Sequence, residues 1–254
     1  HARNLWSDLA RNDAGNVDSA DGLATSQIDT ANIRRAAGAD PLEDYSTAVD
    51  TFQRLVELRP GIPRYRFNLA SALSGLAWTQ NRLLQTEAAQ QTAVDAVNSL
   101  LFLSERFPED ARFPLGEVSA RLILAEVLRD RGDLELAVGI IEQASDTLNL
   151  EIISPDIPQS RERYGELLLI FGQVQAALGD TALATDSLRQ SADVLIELAD
   201  SESGLPRHRD SAAWAMYYLA RELAAGEEAG ARQSIETAIQ LRNELPERAN
   251  WLDS

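Results

Sequence analysis

A single register, stepping by 47 or 48 positions, runs through this sequence. "PGIPRYRFNLASAL" opens at Pro60, "PEDARFPLGEVSAR" at Pro108 and "PDIPQSRERYGELL" at Pro155. A second series keeps the same beat. Ala48, Phe52 and Leu55 stand at i, i+4 and i+7, one face of a helix. The spacing returns in Ala89/Ala93/Ala96, Ala137/Ile141/Ala144, Ala184/Leu188/Ser191 and Ala231/Ile235/Ala238. From Ala89 onward the leading alanines keep the register, and only the first step, from Ala48, is shorter. Gly132, Gly179 and Gly226 each precede the alanine by five. Self-similarity at a fixed period marks a repeat array.

The pattern has a direct physical reading. Each repeat is two antiparallel helices joined by a short turn. Glycine supplies the left-handed residue that ends the first helix. Alanine at the start of the second lets the backbones approach, and the larger residue four on fills the gap between hairpins. Proline stops one helix and preorganises the first turn of the next. No hairpin buries its apolar face alone, so neighbours stack. Strand-length alternating runs are missing, so the fold class is all-α.

Residues 40–254 form the expected array, with repeats starting near 60, 108, 155 and 203. "DPLEDYSTAVDTFQRLVELRP" is a helix with Asp40 as N-cap and Pro60 as stop. Residues 1–39 read as a polar linker, with a short helix within Ala24–Gly38. "RNDAGNVDSADG" fails as a calcium loop. With Gly22 as the turn glycine, Val17 and Ser19 fall where acids belong and Ile28 where the distal Glu belongs. The chain opens on His1 and its only Met is Met216, so it reads as a soluble fragment or processed form.

Charge narrows the partner. Net charge is −17 and every basic residue is Arg, a field that repels phosphate backbones. Nucleic acid is therefore not the expected partner. No run approaches the roughly 18 apolar residues of a membrane helix. The absence of cysteine removes thiol chemistry and Cys-type zinc sites and leaves the compartment open. His208, in "LPRHRD", has no second histidine at helical spacing. No G-x-S-x-G or phosphate loop occurs, and pairs such as Glu227/Glu228 read as solvated charge. Catalytic residues, cofactors and metals are not expected. Trp78, Trp214, Tyr217 and Tyr218 read first as core and second as a ligand-facing ledge. Arg64, Arg112, Arg161 and Arg209 recur at nearly the interval of the prolines. They are expected to pair with Glu109, Asp110, Asp156 or Asp210, or else to form an anion-reading edge.

The order Gly, Ala, large apolar, small, Pro resembles the tetratricopeptide repeat, most closely in "YSTAVDTFQRLVELRP". The usual repeat is about 34 residues, so this one is longer by two heptads. Leu84 stands where the turn glycine belongs in the first full repeat. The resemblance implies a right-handed α-solenoid and a non-catalytic scaffold that binds a protein or peptide in a concave groove. Ala77, Ala125, Gly172 and Leu219, seven before each turn position, become the helix-contact positions. The implied groove residues are Ser74, Trp78 and Asn81; Leu122, Glu126 and Arg129; Leu169, Gln173 and Ala176; and Met216, Ala220 and Leu223. Without lysine, the lysine-based carboxylate clamp of some members cannot form. "PGIPRYRFNLASALSGLAW" further resembles repeats of planctomycete-type multidomain bacterial proteins, some attached to serine/threonine kinases. That implies an alternative, a regulatory or sensory region of a membrane-anchored kinase, with this stretch extracytoplasmic. No kinase motif is present in the chain itself.

Overall fold

The computed structural model describes residues 17–149, 154, 157–201, 205–225 and 230–245. The described residues form ten α-helices and no strand. They are α1 (Val17–Ala36), α2 (Leu42–Leu58), α3 (Pro63–Arg82), α4 (Thr86–Arg106), α5 (Arg112–Arg131), α6 (Leu134–Leu148), α7 (Pro158–Leu178), α8 (Thr181–Asp200), α9 (Pro206–Ala225) and α10 (Ala231–Asn243). The chain divides into two compact units between Ile123 and Leu124, within α5. α1 to α4 pack in succession in the first unit, and α6 to α10 in the second.

The turns between paired helices share one geometry. Gly132 and Gly179 have φ of +88° and +86°, as the register requires. The N–H two past the last helical turn reaches back across it, Asp133 to Leu128 at 2.9 Å and Asp180 to Gln175 at 3.0 Å. Leu84 departs in sequence but not in shape. It adopts φ +60°, alone among described non-glycine residues in the left-handed region, and Gln85 N–H donates to the Gln80 carbonyl at 2.9 Å. Gly226, the fourth turn position, lies outside the described residues, as do His1, Pro155, Asp156, Glu227 and Glu228.

The same turn ends α1. Gly38 has φ +75° and Ala39 N–H donates to the Arg34 carbonyl at 2.9 Å. Ala31, seven residues before Gly38, is fully buried like Ala77 and Ala125. The expected linker over 1–39 is thus, in its described part, a 20-residue helix paired with α2. Its buried side is made of Ser19, Asp21, Ala24, Ser26, Gln27 and Ala31. α2 begins at Leu42, whose N–H donates to the Asp40 carboxylate at 2.9 Å.

The alanine face is the contact face. Ala48, Phe52, Leu55, Ala89, Ala93, Ala96, Ala137, Ile141, Ala144, Ala184 and Leu188 are all buried. In the last pair, Ala238 is buried while Ala231 and Ile235 are half-buried. Glycines sit where backbones come closest. A methyl on Gly172 would lie 2.7 Å from Leu188 and 3.2 Å from the Ala184 carbonyl, so α7 and α8 meet almost backbone to backbone. Ser191 replaces alanine in this series. Its hydroxyl is fully buried and donates to the Gly165 carbonyl at 2.7 Å, which satisfies a polar group that packing would otherwise strand.

Candidate functional site

In the N-terminal unit, Ser74, Trp78 and Asn81 follow one another along α3. Ser74 and Trp78 are half-buried, whereas Asn81 is buried. Two arginines attend the indole of Trp78. The Arg35 guanidinium, from the last turn of α1, lies 5.2 Å from the ring centroid, and that of Arg82 lies 6.0 Å away. Both distances suit a cation–π contact. Neither arginine forms an ion pair with a described residue. α1, which the sequence reading did not count among the pairs, therefore supplies half of this cluster. Its signal was Gly38 with Ala31 seven before it. Leu122 is buried.

In the C-terminal unit, Arg129 is held by carboxylates on its own helix. It bonds Asp130 at 2.6 Å and lies 3.8 Å from Glu126. Gln173 and Leu169 are buried on α7. Met216 packs partly into the core around Leu195, Leu219 and Leu223. Ala220 and Leu223 are buried beside it, while Ala176 is half-buried.

The four edge arginines are all ion-paired, mostly with other acids than the sequence suggested. Arg112 does bond Asp110, at 2.6 Å, but Arg64 bonds Asp21 of α1. Arg161 bonds Glu197 of α8 at 2.8 Å. Arg209 lies 3.6 Å from Asp200 and 3.3 Å from Glu244, while Asp210 is taken by Arg242. Of these partners Asp21, Glu197 and Glu244 lie far off in sequence. Between the starts of α3 and α5, Pro63, Arg64, Phe67, Arg112 and Phe113 line a hollow of about 260 Å³. Its two phenylalanine rings are 5.8 Å apart.

His208 belongs to the interior. It is 2% exposed, and its Nδ1 accepts the Leu205 N–H at 3.1 Å, capping α9. Its Nε2 lies 3.5 Å from Glu162, which also accepts from Arg207 at 2.5 and 3.1 Å. Burial pushes the His208 imidazole below its usual range, and Glu162 offsets this only in part. Burial opposes ionisation of Glu162, but the Arg207 hydrogen bonds and the Arg163 and Arg207 charges outweigh it and hold the carboxyl below the usual range.

The C-terminal unit also exposes aromatics that the sequence reading placed first in the core. Trp214 and Tyr217 are 44% and 42% exposed. At about 100° per residue they stand opposite the buried side of α9, which carries Ala212, Leu219 and Leu223. Among the described residues no cluster of His, Asp or Glu could hold a metal ion, and no helix is long and apolar enough to cross a membrane.

No family model matches the chain, and no curated protein matches it. Solved structures do. The crystal structure of BtubC (BKLC) from P. vanneervenii superposes with a TM-score of 0.60 at 17% identity, covering 95% of this chain and 87% of that one. A Podosopora anserina putative kinesin light chain with nearly identical TPR-like repeats superposes with a TM-score of 0.50 at 17% identity. That match covers 88% of this chain and 96% of the other. At such identities the likeness speaks of the fold alone. The chain has an all-α, TPR-like helical-repeat fold, an α-solenoid of antiparallel helix pairs.

Proposed function

We propose that this region is a protein- or peptide-binding scaffold without catalytic activity of its own. TPR-like repeats serve typically in protein interaction, and the surface here offers recognition groups rather than a reacting constellation. One observation carries the reading. Trp78, at a position the repeat resemblance assigns to the groove, is half-buried, with Arg35 and Arg82 beside its ring and no described acid on either guanidinium. Trp and Arg are the side chains that most often dominate binding energy at interfaces. The acidic field of the chain disfavours nucleic acid and leaves polypeptide as the partner class. Ser74 extends the surface with a hydroxyl, which suits a segment bearing amide or charged side chains.

The test compares partner capture by the wild type, Trp78→Ala, Arg82→Ala and Arg129→Ala, with the captured protein identified by mass spectrometry. Capture of one defined partner should fall sharply in the first two variants with helicity unchanged. Arg129→Ala should matter less, because Asp130 and Glu126 already hold that side chain. Equal retention by all three variants would move the site off this face.

A further inference from the structure

α9 carries three aromatic rings in mutual contact, Trp214 and Tyr217 exposed and Tyr218 half-buried against the core. Trp214 and Tyr217 are edge to face, with centroids 5.8 Å apart and planes at 89°. Tyr217 and Tyr218 are 5.4 Å apart at 72°, and Trp214 and Tyr218 are 6.0 Å apart at 31°. Arg242, from α10, lies 5.7 Å from the Trp214 centroid, and Arg221 lies 4.9 Å from that of Tyr218. All five belong to the C-terminal unit. The cluster is fixed by its own contacts, so a ligand would meet it with few rotamers left to freeze.

From this cluster we infer a docking surface for a proline-rich segment in the polyproline II conformation. The chemistry selects that occupant by charge and by donor count. Both arginines are already neutralised, Arg242 by Asp210 and Arg221 by Glu222 at 3.1 Å. A polyanion would find no free cation there and would meet the negative field of the chain. A cationic segment would find guanidiniums already beside the Trp214 and Tyr218 rings. What the surface offers is the exposed rings of Trp214 and Tyr217 set edge to face, with a phenol hydroxyl and an indole N–H. A polyproline II helix is the matching counterpart. Its pyrrolidine rings are compact and apolar, it makes no internal hydrogen bonds, and its carbonyls are free to accept. The Trp78 cluster belongs to the other unit.

The experiment is fluorescence anisotropy of a labelled nine-proline peptide against the full chain, with glycine–serine and nine-glutamate peptides of equal length. The proline peptide should bind and the other two should not. Trp214→Ala and Tyr217→Ala should each weaken binding at least tenfold, and Trp78→Ala should leave it unchanged. Both replaced rings are more than two-fifths exposed, so neither variant removes core packing, and circular dichroism would confirm retained helicity. Absence of proline-peptide binding at millimolar protein would overturn the inference. So would binding indifferent to both variants, or preference for the glutamate peptide. Self-association in sedimentation that Trp214→Ala abolishes would assign this face to a second copy of the chain instead.

Discussion

Gly75 offers a sharp test of how tightly these helices are packed. It lies mid-helix in α3, beneath the ring of Tyr45 from α2. A methyl there would fall 2.2, 2.4 and 2.8 Å from three ring carbons, where ordinary contact begins at 3.4 Å, so the ring must retreat. It has little room to do so. Tyr45 is 1% exposed, its hydroxyl donates to Asn32 at 2.6 Å, and its ring packs with Ala31 and Leu76. Replacing a mid-helix glycine by alanine gains about 1 kcal/mol of propensity. Overpacking a closed core costs about 1–3 kcal/mol, and straining the tyrosine hydrogen bond adds roughly 1 kcal/mol more. The net expectation is a loss of about 1–3 kcal/mol. Gly139, inside α6, supplies the control. Nothing lies within 4 Å of the added methyl, so Gly139→Ala should stabilise by about 0.5–1 kcal/mol. Urea unfolding followed by circular dichroism measures both. In a Tyr45→Ala background the sign at Gly75 should reverse, giving a coupling of about 2–4 kcal/mol. Should Gly75→Ala match or exceed wild-type stability, the close approach of α2 and α3 described above would be wrong.

Leu84→Gly should raise stability by about 0.5–1 kcal/mol, because the left-handed conformation costs leucine about 1–2 kcal/mol and glycine almost nothing, less the entropy that glycine adds to the unfolded chain. Its urea midpoint reads this directly, and a lower midpoint refutes it. Ala137→Leu and Ala184→Leu should each cost about 1–3 kcal/mol, since both positions are fully buried between paired helices; unchanged thermal midpoints would count against the face assignment. His208 sets a pH dependence. Its folded pKa lies below the usual 6.5, mainly through burial, so the unfolded chain binds the extra proton first. Its stabilisation is full above about pH 6.5 and is lost as pH falls from there through the folded pKa. Glu162, also depressed, acts in the same direction but only below about pH 4.5. The urea midpoint should therefore fall between about pH 7.5 and about pH 5.5, and less so in His208→Gln, so equal slopes for the two proteins would contradict this.

The joints of this fold were legible in sequence because they are local. A glycine in the left-handed region, an alanine five residues on and a large residue four further follow from one hairpin's own geometry, and Gly132–Ala137–Ile141 shows each in place. α1 was harder to read. Its buried side uses Ser19, Asp21, Ser26 and Gln27, which hydrophobic periodicity does not score. The Asp40–Pro41 turn also stretches the distance from Gly38 to Ala48 to ten residues instead of five. The candidate surface was only half legible. Trp78 is half-buried, but Asn81, Leu122 and Gln173, offered by the same pattern, are buried. Burial on a long helix depends on what packs along its whole length, which the spacing within that helix does not record. The partners of the arginines failed for a similar reason. Asp21 with Arg64, Glu197 with Arg161 and Glu244 with Arg209 are tertiary contacts, set by which helices stack.

Glu162 joins the start of α7 to the start of α9, one pair further along the chain, through Arg207 and His208. Its carboxylate is almost wholly enclosed, so departure of α9 would strip it of its main counter-charge while Arg163 remains at 3.8 Å. Repeat arrays ordinarily fray from their ends, each outer pair loosening gradually because only apolar area is given up. Here the last described pair is latched by a charge that does not tolerate a partial opening. That pair then detaches in a single step, and amides across α9 and α10 exchange with solvent together rather than in a gradient along them.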